Sequence, residues 1–367
     1  MLFVTWDGGG NLPPALGIAA GLRERGHRIR FLGHAQQRGP IEAAGFGFTP
    51  YAHARPWSSA DPVASPADII SMFTDRGPGT DLLAEASREP PAAVVIDCLS
   101  LGALQAASRA GLTRAVLAHT YYRYLAGHWS PGPVGQAARL DGLHPVRLWE
   151  SADLLLIATD PGLDPAPGGG WPASARQTGV VQPAPLPRDR PDGARPRVLV
   201  SLSTTFFPDQ EHALQTIIDA LGGLPVGAVV TTGPAIDPAR LRPAASTELH
   251  GYLPHADVMP RMSLVVSHGG HATAMRALAH DLPLLIMPMH PLLDQEMIGD
   301  SVASQGAGLV LPATAPPGQI AAAVTGLLGP GPRAAAARLG AALRARDGAG
   351  QAADELAALL ARTTAAR

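Results

Sequence analysis

The chain has a single cysteine, Cys98, so no disulfide can form within it; a lone Cys in an apolar run reads as a small buried strand residue. Charge is scarce too. Lys and Arg number 28 against 30 Asp and Glu, a net charge of −2 with no basic block. A sequence-independent nucleic-acid binder needs a positive face, so that class is disfavoured. No apolar run approaches the roughly 18 residues of a membrane span. Met1-Leu2-Phe3-Val4 lacks the charged segment of a secretory leader, so a cytoplasmic protein is expected. There is no Cys cluster, no Asp-x-Asp and no His pair at i,i+4 in a convincing helix, so no metal and no cofactor are expected.

What is present is apolar and periodic. Hydrophobic residues make up 46% of 367, enough for two cores of ordinary size. Short apolar strands are expected at Leu2–Thr5, Arg28–Leu32, Ala93–Asp97, Ala115–His119 and Leu154–Ala158. A helix over Pro13–Arg25 and helical stretches near 66–88 and 100–110 separate some of them. Residues 160–196 are rich in Pro, Gly and Asp and read as a linker region. The alternation then restarts with strands at Arg197–Ser203, Gly227–Thr232, Leu264–Ser267 and Leu284–Pro288. Helices are expected at Gln210–Leu221, His255–Met262, His271–His280 and Gln295–Gln305. This is an α/β chain of doubly wound parallel sheets in two lobes. The division expected is 1–178, a linker at 179–196, and 197–367, with the last helix free to pack back on the first lobe.

The densest local signal is Leu264-Val265-Val266-Ser267-His268-Gly269-Gly270-His271-Ala272-Thr273. A buried strand ends in His-Gly-Gly and a helix starts at once. Glycines admit a ligand close to the backbone, and free amides at a helix start attract a diphosphate. The plain alternative is a tight turn with no ligand. A second signal, Pro288-Met289-His290-Pro291-Leu292-Leu293-Asp294-Gln295, puts a carboxylate and an amide at a strand-to-helix junction, able to hold sugar hydroxyls or merely to cap the helix.

Together these residues resemble the GT-B nucleotide-sugar glycosyltransferases of family 1, among them the actinobacterial antibiotic and natural-product enzymes. His268, Gly269, Gly270, Thr273, Pro283, Pro288, Asp294 and Gln295 follow the family's C-terminal pattern in order. Gly251-Tyr252-Leu253-Pro254-His255 is similar to its nucleobase-stacking segment, and Val200-Ser201-Leu202-Ser203-Thr204 to its phosphate-contacting strand end. Gly10-Asn11-Leu12-Pro13-Pro14 and Val95-Ile96-Asp97 match the loop and strand that carry the catalytic pair. The resemblance implies two Rossmann-like lobes facing across a cleft, and metal-independent transfer with inversion. Ser203, Thr204, Tyr252, Leu253, His268, Gly269, Gly270, His271, Thr273, His290, Asp294 and Gln295 become the expected donor residues.

Three departures matter. Asn11 stands where the family carries a His or Asp base, and an amide takes no proton at neutral pH. Asp97, Asp7 or His119 then supplies the base, with Asp97 first; or the acceptor needs little help; or catalysis is lost. Arg276 stands where users of uridine diphosphate sugars often carry a ribose-binding Glu, which favours thymidine over uridine diphosphate donors. The segment between Pro288 and Asp294 is longer than usual by about two residues, so His290 is an alternative sugar contact. Aromatics are only 5% of the chain, so the grouping of Trp57, Phe73, Tyr121 and Tyr122 with His128 stands out as an acceptor surface for a flat polycyclic or polyketide-like molecule. Small-molecule donor and acceptor are the expected partners of a monomer or homodimer. A catalytically silent glycosyltransferase-like partner protein, a C- or N-glycosyltransferase, an epimerase of the same fold and an NAD-type dehydrogenase are the alternatives. The last lacks a Gly-x-Gly-x-x-Gly loop.

Overall fold

A computed structural model describes residues 1–61, 66–182, 185, 188–189 and 193–365. The chain divides into two compact units. Met1–Ser59, Val63–Gln182 and Asp347–Arg367 form the first; Pro183–Arg346, with Ala60–Pro62, forms the second.

The first unit is built on β1 (Leu2–Val4), β2 (Arg30–Gly33), β3 (Gly47–Pro50), β4 (Val94–Asp97), β5 (Arg114–Ala118), β6 (Leu154–Ile157) and β7 (Ala175–Gln177). The sheet order is β3-β2-β1-β4-β5-β6-β7, and every pairing is parallel. Strands covered on both faces read as unbroken apolar runs, and β4, β5 and β6 are buried throughout. The second unit holds β8 (Arg197–Ser201), β9 (Gly227–Thr231), β10 (Thr247–His250), β11 (Leu264–Ser267), β12 (Leu284–Ile286) and β13 (Gly308–Val310). They run parallel in the order β10-β9-β8-β11-β12-β13.

These orders decide where a ligand fits. Strand order reverses between β1 and β4 in one sheet and between β8 and β11 in the other. Loops leaving the carboxyl ends of such a strand pair part in opposite directions and open a crevice. Asn11 and Asp97 follow or end the first pair, and Ser203 and His268 follow the second.

Several sequence expectations change. The stretch near 66–88 is two helices, Pro66–Phe73 and Gly77–Arg88. The Pro/Gly-rich run 160–196 is not all linker, since β7 lies within it. Helix His255–Val258 gives way to a 3₁₀ turn at Met259–Arg261, where Pro260 has no amide hydrogen to extend the helix. The final helix, Gly348–Ala365, packs on helix Leu12–Glu24 in the first unit. Ala352, Ala353, Leu356 and Leu359 join Ile18, Ala19 and Leu22 in that core. No helix among the described residues is long and apolar enough to cross a membrane.

Candidate functional site

In the second unit the chain leaves β11 through His268-Gly269-Gly270 into helix His271–Ala279. Gly269 has φ +91°, and a Cβ there would come within 2.7 Å of the Gln295 carbonyl oxygen. A Cβ on Gly270 would sit 2.5 Å from Nε2 of His268. Gly269 is therefore required by the turn, and Gly270 makes room for the His268 ring. No side chain caps the helix start. His268 Nδ1 is buried without a hydrogen-bond partner. Burial, followed by the nearby His255, pushes the His268 pKa down to about 4, so the ring is neutral at pH 7 and offers one N–H.

Around this turn the groups are basic or neutral. His255 Nε2 lies 3.0 Å from Ser201 Oγ, and burial with the neighbouring Arg276 lowers its pKa to about 4. The Nε of Arg276 is buried without a hydrogen-bond partner. Desolvation pushes its pKa down, and the only group acting the other way is Tyr252. Tyr252 itself is 70% exposed, an open aromatic face beside a guanidinium. Leu253 is half-buried in the same loop, and Thr273 and His271 are half-buried in the first turn of the helix.

The other donor residues are partly committed to local structure. Ser203 Oγ accepts from the Thr205 amide at 2.9 Å, while Thr204 is exposed. Gln295 is buried, and its Oε1 accepts from the amides of Met289 at 2.6 Å and His290 at 3.1 Å. Only the Gln295 amide nitrogen remains for a ligand. Asp294 is half-buried at the start of helix Gln295–Ser304 and does not cap it. The His290 ring is tied to its own loop, Nδ1 accepting from the Leu292 amide at 3.2 Å. Phe207, which sequence reasoning passed over, lies between the two imidazoles, 6.3 Å from His268 and 6.2 Å from His290.

In the first unit Asp97 is the hub. Its Oδ1 accepts from Trp6 Nε1 and from the Leu99 amide, each at 3.0 Å. Its Oδ2 accepts from Asn11 Nδ2 at 3.1 Å and from His119 Nδ1 at 2.9 Å. Burial opposes the charge, but His119 and these donors outweigh it and hold the carboxyl below its ordinary pKa. The same pairing raises His119 well above 6.5, against the effect of burial. Asn11 leaves its helix uncapped and turns its amide to Thr5 Oγ1 at 3.2 Å, the Trp6 carbonyl at 3.0 Å and Asp97. Three acceptors around one nitrogen fix the orientation of the amide.

Asp7 stands apart from this network: its Oδ2 accepts from the Ser59 amide at 3.0 Å and its carbonyl from Trp57 Nε1 at 2.8 Å. Asp97, Cys98 and His119 bring three potential metal-ligand atoms within 4.8 Å of one another. Both Asp97 oxygens already accept two hydrogen bonds, and the His119 Nδ1 proton fills the space between, so a hydrogen-bonded pair accounts for the trio. No spacing motif signalled it, because His119 and Cys98 meet through strand pairing.

The expected acceptor surface needs correction. Tyr121 and Tyr122 are 0% and 2% exposed, and Phe73 is 6% exposed, stacked edge-on between Trp6 and Trp129. Tyr122 donates to Glu150 Oε1 at 2.9 Å and packs against Trp149 and Trp171. These three rings are core. Trp57 is half-buried and His128 exposed, so those two remain open to a ligand.

Residues 230–352 match the family described as glycosyltransferase family 28 C-terminal domain. A 4'-demethylrebeccamycin synthase of Lentzea aerocolonigenes is 26% identical over 375 aligned positions, covering 85% of this chain and 87% of that protein. A demethyllactenocin mycarosyltransferase of Streptomyces fradiae is 34% identical over 103 residues, only 28% of this chain and 22% of that protein. Among solved structures, the glycotransferase of kitacinnamycin superposes with a TM-score of 0.80 at 21% identity over 98% of both chains. Glycosyltransferase VinC, solved in complex with dTDP, gives 0.71 at 19% identity over 98% of this chain and 99% of that one. At such identities the structures establish the GT-B fold alone.

Proposed function

We propose that the chain, which has the GT-B fold and matches glycosyltransferases over residues 230–352 and along most of its length, is a family 1 nucleotide-sugar transferase that moves a deoxysugar from a thymidine diphosphate donor to a small natural-product acceptor, inverting the anomeric centre. The second unit takes the donor. The diphosphate docks at the His268-Gly269-Gly270 turn, receiving the helix amides and one imidazole N–H, with Thr273, Ser203 and Thr204 alongside. Tyr252 packs on the base, and Asp294 and the Gln295 amide nitrogen hold the sugar. The first unit takes the acceptor.

The observation that carries this reading is the turn at the strand-order reversal: a buried, unpartnered His268 nitrogen beside an uncapped helix start, with the unpartnered Nε of Arg276 nearby. An anion satisfies all three at once. Arg276 also supports thymidine over uridine diphosphate, since a guanidinium cannot accept from a ribose 2'-hydroxyl. The relative solved with dTDP is consistent with that choice.

Thermal melting of wild type and His268→Ala with thymidine and uridine diphosphates tests it. A ligand at 100 times its Kd adds about 2.7 kcal/mol. Stabilisation of wild type that His268→Ala abolishes is expected, larger with thymidine diphosphate. Equal stabilisation of both proteins overturns the site assignment. Tight binding without turnover of any donor favours the silent partner protein.

A further inference from the structure

We propose that His119 is the general base of the transfer, held by Asp97, and that the acceptor attacks through a hydroxyl oxygen. This rests on the transferase reading above and moves the base from the start of helix Leu12–Glu24 to the end of β5.

Asn11 cannot accept a proton, and its nitrogen is spent on Thr5, Trp6 and Asp97. Asp97 accepts four hydrogen bonds, two on each oxygen, which leaves it little basicity and no free face. Asp7 braces the loop at Ser59, outside this network. His119 differs from all three. Its Nδ1 donates to Asp97, and its Nε2 has no hydrogen-bond partner among the described residues. The side chain keeps 13% of its surface open. A carboxylate that fixes one imidazole nitrogen as donor leaves the other as a base of set direction. Asn11 and Trp6 are then positioning residues: they hold the carboxylate that holds the ring.

The step balances. A lone pair of the acceptor oxygen forms the bond to the anomeric carbon, and the bond from that carbon to the phosphate oxygen breaks. Its electron pair leaves with the nucleoside diphosphate. The hydroxyl proton goes to His119 Nε2, and the resulting imidazolium is stabilised by Asp97. The class of acceptor follows: an alcohol or phenol gains most from losing its proton in the transition state, and general-base help is worth about 10²–10⁴-fold. Asp97 and Cys98 are the titratable groups acting on the ring. Asp97 raises it, and burial keeps the Cys98 thiol protonated. Only the neutral ring can take the proton, so kcat/KM must climb as pH rises through a pKa above 6.5.

The test uses the full chain with thymidine and uridine diphosphate glucose and a series of acceptors: substituted phenols of graded acidity, a primary alcohol and aniline. His119→Gln should lose about 10²–10⁴-fold in kcat/KM with the alcohol and the least acidic phenols, and much less with 4-nitrophenol. It should also lose the acidic limb while keeping nucleotide stabilisation. A loss equal across the series, or none, overturns the base assignment. If the variant does not fold, the wild-type profile decides: kcat/KM with the alcohol flat from about pH 6 to 9 overturns it equally. Wild-type transfer to aniline but to no hydroxyl overturns the acceptor class. Nucleotide stabilisation with no transfer at all overturns the base and the transfer together. No stabilisation and no transfer overturns the underlying function.

Discussion

Gly270 and His268 show how one missing side chain sets chemistry. A Cβ at 270 would press within 2.5 Å of the imidazole, so Gly270→Ala must turn the ring out of its slot. Position 270 has an extended backbone that alanine adopts freely, so the fold should tolerate the change. The expected outcome is a near-wild-type melting temperature with most of the nucleotide stabilisation lost, read in one thermal series. Arg276 offers the complementary experiment. Arg276→Glu puts an acceptor of ribose hydroxyls on the same helix face, and competition binding should show preference moving from thymidine towards uridine diphosphate. The His-Gly-Gly turn was legible because its glycines have one explanation each. The roles of Tyr121, Tyr122 and Phe73 were not, since an aromatic in a short segment reads alike whether it lines a pocket or fills a core; burial alone separates the cases. His119 was visible only as one base among three. Its partnership with Asp97 depends on β4 and β5 lying side by side, which no local pattern encodes.

At the scale of elements, the buried central strands announce themselves as apolar runs, and the helices between them by their faces. What escaped was short and peripheral. β3, β7, β10 and β13 sit at or beside the sheet margins with 3 or 4 residues each. β7 hides among Pro and Gly because its three residues carry too little pattern to stand out. The last helix is a different case: its Ala-rich face suits close packing, and the core it joins is fixed by the fold. Gly21 and Ala353 meet so closely that a Cβ on Gly21 would lie 3.2 Å from that of Ala353. Leu356 is fully buried in the core of the first unit. Leu356→Ala should therefore destabilise by about 2–5 kcal/mol, the usual range for a buried Leu. A surface helix end would cost almost nothing, so a denaturant titration separates the two readings of the C-terminus.

Across the whole molecule the buried imidazoles set how stability responds to acid. His255 and His268 are held near pKa 4, and burial also lowers His34, His280 and His290. In the unfolded chain each returns to about 6.5. Between those values the unfolded state binds more protons than the folded one, so stability falls as pH falls. The Asp97–His119 pair does not blur this window. His119 is raised, so its contribution is complete once pH is below about 6.5 and is lost only as pH rises through its folded value. Asp97 is lowered, so its contribution persists until pH approaches about 3.9 from above. Melting temperatures should thus decline from about pH 6.5 to 4, the fall starting well above the pH at which carboxylates titrate. His255→Gln, which can keep the hydrogen bond to Ser201, should flatten that decline without changing its sign. Thymidine diphosphate should flatten it further, because an anion at His268 raises the pKa that burial lowered. Melting wild type and His255→Gln at several pH values, with and without the nucleotide, checks both effects. An identical slope in all four series would mean that these histidines are not buried neutral and that the diphosphate does not sit beside His268.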